Sequence, residues 1–115
     1  MPKASALPQS PDELLEQLFA IFPEYRGCYE RPTDEAPLTF HFVLMDFTTF
    51  FGRVAHSSSE KQLGALGRLV SAAVEADGLL ENAFGTCLLE HLHQIKASAA
   101  LRPHLSKAAR ERTKA

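Results

Sequence analysis

The chain has 115 residues, of which 45% are hydrophobic, 23% charged and 9% aromatic, with a formal net charge of -2. That composition sits at the globular average and excludes wholesale disorder, collagen-like and coiled-coil classes. Two isolated cysteines, Cys28 and Cys87, cannot make a disulfide scaffold and suit reduced thiols.

The length fits one domain, able to bury roughly two-thirds of the surface of its unfolded chain. Residues 1–9 carry two prolines and small side chains and read as a disordered lead. They contain no apolar core of the kind a secretory signal needs. No apolar run approaches the roughly 20 residues of a membrane span, so the expected location is the cytoplasm.

Ser10-Pro11-Asp12-Glu13 is a helix start, with serine as N-cap, proline at the first helical position and Glu13 placed for a capping box. Leu14, Leu15, Leu18, Phe19 and Phe22 then fall on one broad face. Pro23 ends this helix and opens a short second one over Glu24 to Glu30, followed by a proline-bearing loop from Arg31 to Pro37. Residues 38–55 carry two signals. Thr39 to Val43 alternate like a strand, but the whole window shows two helical stripes, Leu38/Phe42/Met45/Thr49 and Phe40/Leu44/Phe47/Phe51/Val54. Eighteen residues exceed ordinary strand length, so the spacing predicts a central helix buried on both sides.

Ser57 and Glu60 stand at capping-box spacing before a helix marked by Leu63, Leu66, Val70 and Val74, ending near Asp77-Gly78. Gly64 and Gly67 weaken it by about 1 kcal/mol each, unless they admit a close neighbour. Leu79 to Ala97 reads as one last long helix, in a tight hairpin with the one before it. Pro103 opens a short terminal helix to about Arg112. The expected fold is all-α, an irregular bundle of five or six helices packed as antiparallel hairpins. Its single domain spans 10–106, and 107–115 form a basic frayed tail.

Charge is unevenly placed. Between Asp12 and Asp46 there are eight acidic residues against Arg26 and Arg31, and from Lys96 to Ala115 six basic residues against Glu111. An acidic first half steers a basic partner. The basic end lacks interleaved aromatics, so no nucleic-acid partner is expected.

Chemistry-bearing side chains form no convincing set. Cys87 and His91 are four apart on a predicted helix, with Glu90, His93 and His104 near them in sequence. Only two of these groups converge, whereas a structural zinc takes four. His41 with Asp46, and His56 beside Ser57 to Ser59, lack the surroundings of a nucleophile elbow or a Cys–His protease. No catalytic residue, metal or cofactor is predicted, and the chain reads as a non-enzyme.

Three stretches resemble one family. Leu14-Leu-Glu-Gln-Leu-Phe-Ala-Ile-Phe-Pro-Glu-Tyr25 is similar to the opening helix and "FPE" turn of a family of small bacterial all-helical proteins found in toxin–immunity neighbourhoods. Leu80-Glu-Asn-Ala-Phe-Gly-Thr-Cys-Leu-Leu-Glu-His-Leu92 resembles its late helix, departing from the common pattern at a phenylalanine and an asparagine. Leu44-Met-Asp46-Phe47-Thr-Thr-Phe50 is similar to its central acidic–aromatic segment. The resemblance implies an immunity-type protein that binds a cognate protein toxin and occludes its active site. The expected contact residues are Glu24, Tyr25, Tyr29, Glu30, Asp34 and Glu35, because tyrosines among carboxylates make good interface anchors. A different class of function, a helical adaptor or homodimeric regulator, would use the apolar hairpin of residues 60–97.

Overall fold

A computed structural model describes residues 7–30, 37–76 and 78–113. Its described residues fold as an all-α bundle, without strands. The first helix, α1 (Pro11–Ile21), is capped by Ser10, whose Oγ accepts the Glu13 N–H at 3.2 Å. The Glu13 carboxylate reaches one residue further back than a capping box requires and accepts the Gln9 N–H at 2.7 Å. Phe22 stands between α1 and α2 (Pro23–Cys28) outside the helical region, at φ -124° and ψ 84°, as the ring of the following proline favours. The break at Pro23 therefore falls where the sequence predicts it.

The ambiguous segment is helical. α3 (Phe40–Val54) is capped by Thr39, whose Oγ1 accepts the Phe42 N–H at 3.0 Å, and it ends in a single 3-10 turn over Ala55–Ser57. Leu44, Phe47 and Phe51 are buried, with Phe40 and Val54 partly so, as expected for one stripe. The other stripe is corrected: Phe42 is 38% exposed, Met45 63% exposed, and Thr49 also faces out. Helix α3 is central but covered on one side only.

α4 (Glu60–Ala76) begins two residues later than the Ser57–Glu60 pairing suggests. The reciprocal box is made by Ser59 and Gln62: each backbone N–H is accepted by the other's side-chain oxygen at 3.0 Å. Ser57 instead donates to the Val54 carbonyl. The Gln62 amide also donates to the Ile21 carbonyl at 3.1 Å, which ties the end of α1 to the start of α4.

The predicted long helix 79–97 is interrupted. α5 (Leu79–Cys87) stops because the Cys87 carbonyl, which would accept the His91 N–H in a continuing helix, takes the Thr48 hydroxyl of α3 at 2.8 Å. The His91 N–H turns to the Leu88 carbonyl, giving a 3-10 turn over Leu89–His91. The segment closes on Lys96 at φ 60°, with the Ala97 N–H returned to the Leu92 carbonyl, a left-handed ending that glycine usually occupies.

The C-terminal segment corrects the expected boundary at 106. After α6 (Ser98–Leu101) and a 3-10 turn over Arg102–His104, Ser106 caps α7 (Lys107–Arg112) and its N–H is accepted by Ser71 Oγ of α4 at 2.9 Å. Ala109 is fully buried against α4, and Arg112 is ion-paired with Glu81 of α5. Residues 107–112 are thus part of the bundle rather than a frayed tail, because the small, fully buried side chain of Ala109 lets α7 lie close against α4.

The core has an aromatic end. Phe22 meets Phe47, Phe50 and Phe51 at 5.7 to 6.0 Å between ring centroids, and Tyr25 meets Phe19, Tyr29, Phe47 and Phe50 at 4.9 to 5.9 Å. Most of these rings are tilted or edge-on, the arrangement their quadrupoles favour.

Candidate partner-binding surface

Helix α2 carries two of the six residues the sequence singles out, Glu24 and Tyr25, while Tyr29 stands at its C-cap and Glu30 follows. Glu24 and Glu30 are exposed, and Tyr29 is half-buried with its ring 6.0 Å from Phe19. Asp34 and Glu35 lie outside the described residues. Tyr25 is the correction. It is 0% exposed, its ring is enclosed by the aromatic end of the core, and its hydroxyl donates to Asp46 of α3 at 2.6 Å. Tyr25 is a core residue with a polar tip and offers no surface to a partner. The physical reason lies on α3, which brings a carboxylate to the one place where a buried phenol needs an acceptor.

Burial first, and then the bond to Asp46, push the Tyr25 phenol well above its ordinary value near 10. A folded-state pKa raised above the unfolded one stabilises the fold fully below pH 10, and that contribution is lost as pH climbs above it. Above pH 10 the fold should lose about 1.4 kcal/mol per pH unit on account of this one proton. Tyr25→Phe should flatten that slope, read from denaturation midpoints between pH 9 and pH 11. A wild-type midpoint that does not move over this range would contradict the burial of the phenol.

Asp46 lies four residues after Phe42, hence on the same side of α3. Its bond to Tyr25 therefore sets the outward stripe alongside α2. Phe42 and Met45 are the exposed apolar side chains of that stripe. Beyond Met45 the surface dips into a cleft of about 370 Å³ between α3 and the α5 end, bounded by Met45, Thr48, Cys87, His91, Gln94 and Ile95. Cys87 is buried, and its Sγ lies 3.7 Å from the Thr86 hydroxyl. His91 Nδ1 is hydrogen-bonded to Gln94 Oε1. No group of three or more His, Cys, Asp or Glu side chains able to hold a metal ion occurs among the described residues.

Phe42 and Met45 were missed as surface residues because two-sided apolarity in a helix ordinarily means burial. The signal that distinguishes them is the partner count. Only the Phe40/Leu44/Phe47/Phe51 stripe has the aromatic residues of α1 and α2 to pack on. No helix among the described residues is long and apolar enough to cross a membrane. The chain matches no protein-family model, no curated protein and no solved structure.

Proposed function

We propose that this protein is an immunity-type binder that neutralises a cognate protein toxin by covering its active site. The observation that carries a binding role is the exposed apolar stripe of α3, Phe42 and Met45, on a helix packed against α2, which carries the exposed Glu24 and is followed by the exposed Glu30. A desolvated apolar centre with a charged rim is the anatomy of a protein interface. Here the rim is acidic: Glu24 and Glu30 are exposed, and the α2 cation Arg26 is engaged with Glu16 at 3.3 Å and lies over the Phe19 ring. The complementary partner presents basic residues around an apolar anchor.

Self-association through residues 60–97 has less to work with. Leu63, Leu66, Leu69, Val70, Leu80 and Phe84 are already buried inside the fold, and Leu79 is the large apolar side chain of that pair of helices left exposed.

The test is co-purification and calorimetric titration with the product of the adjacent gene. Met45→Asp, at an exposed position, should weaken the complex by about 100-fold while leaving the melting curve intact. Glu24→Lys with Glu30→Lys should slow association roughly tenfold at low salt and less at high salt. Full affinity in both variants would sink this surface. A protein that binds no neighbouring gene product and does not protect cells from it would sink the immunity role itself.

A further inference from the structure

The basic end of the molecule holds a second concave site, and it rests on no part of the toxin-binding proposal. A cleft of about 470 Å³ opens between α6 and α7, lined by Ser98, Ala99, Arg102, Pro103 and Arg110. Both charged groups in that lining are arginines, and no carboxylate is among them. The ion pairs formed among the described residues are Arg26–Glu16, His104–Glu60 and Arg112–Glu81, so neither Arg102 nor Arg110 belongs to one. Arg102 Nε is buried and has no hydrogen-bond partner. A buried guanidinium N–H without an acceptor is uncommon, because arginine carries five donors and no acceptor of its own.

We propose that this cleft binds the phosphate group of a small phosphomonoester. Two guanidinium forks arriving from different helices suit a tetrahedral oxyanion, which offers three free oxygens in different directions. A planar carboxylate offers its two oxygens in a single plane and satisfies one fork. Arg102 is held by its place in the 3-10 turn, next to Pro103, whose ring fixes the backbone. Arg110 stands on α7, which the Ser106 cap and the buried Ala109 hold against α4. Ser98 completes the lining on the α6 side. Ala99 and Pro103 leave an apolar wall beside the arginines, which fits an organic body on the phosphate.

The experiment is an NMR titration of isotope-labelled protein at constant ionic strength with inorganic phosphate, phenyl phosphate, acetate and chloride. Phosphate and phenyl phosphate should each shift the amides of Ser98, Ala99, Arg102 and Arg110 saturably, with phenyl phosphate the tighter ligand. Arg110→Gln, at an exposed position that leaves the fold intact, should weaken both at least about tenfold. Arg53→Gln, an exposed cation on α3, should change neither. Shifts that acetate or chloride reproduces, or that survive Arg110→Gln, would overturn the site. Equal affinity for phosphate and phenyl phosphate would overturn the monoester as its ligand.

Discussion

Phe22→Ala is expected to cost about 3–5 kcal/mol, a large share of the roughly 5–15 kcal/mol that holds a domain of this size together. Phe22 is 0% exposed and its ring touches those of Phe47, Phe50 and Phe51. It also occupies the joint between α1 and α2, so both helices border the void its removal leaves. Collapse is restricted there because Pro23 fixes the backbone on one side and the Gln62–Ile21 bond fixes the end of α1 on the other. Chemical denaturation gives the measurement, with Phe42→Ala as the matched control. The same residue type at this partly exposed position should cost clearly less, about 1–2 kcal/mol. Equal losses at the two positions would mean that Phe22 is not at the centre of the aromatic packing.

Two glycines three residues apart on α4 should respond to alanine with opposite signs. A Cβ on Gly64 would meet its nearest neighbours, the Arg68 and His104 side chains, at 3.5 and 3.8 Å, which is ordinary contact. Gly64→Ala should therefore gain up to about 1 kcal/mol of helix propensity. A Cβ on Gly67 would overlap the His104 backbone carbonyl and lie 2.7 Å from its Cβ. Backbone cannot rotate out of the way. Overpacking of this kind costs about 1–3 kcal/mol, and at Gly67 the upper part of that range outweighs the propensity gain. The turn it displaces also carries the His104–Glu60 pair at 3.1 Å and the approach to α7. The net loss should be about 2 kcal/mol, seen as a lower thermal midpoint. A Gly67→Ala protein as stable as the parent would show that the turn does not press on α4.

Much of this architecture is legible in the sequence because it is written locally. Ser10 and Pro23 act through neighbours within a turn, and the stripe of α3 that ends on Phe51 repeats at the helical period. What escapes a local reading is set by residues far away in the chain. The break after Cys87 depends on a threonine of α3 that takes its carbonyl. The docking of α7 depends on Ser71, Glu81 and Gly85, none of which signals a neighbour from its own surroundings. At the candidate surface, the acidic character of the segment around α2 was readable from composition. Which of its side chains face outward was not, since Tyr25 turns inward only because Asp46 waits for it. The outward stripe of Phe42 and Met45 has the same periodicity as a buried one and differs only in what stands opposite.

The return of α7 to α4 also has a consequence in time. Helix α4 is synthesised well before its cover, and chains begin to fold as they emerge. Until the segment from His104 to Arg112 has left the ribosome, Gly67 of α4 lacks the His104 turn that covers it, and Glu81 has no cation. The bundle can assemble its aromatic end early, from α1, α2 and α3, while its opposite end stays open to chaperones. Completion of the fold is thereby coupled to the arrival of the most basic stretch of the chain.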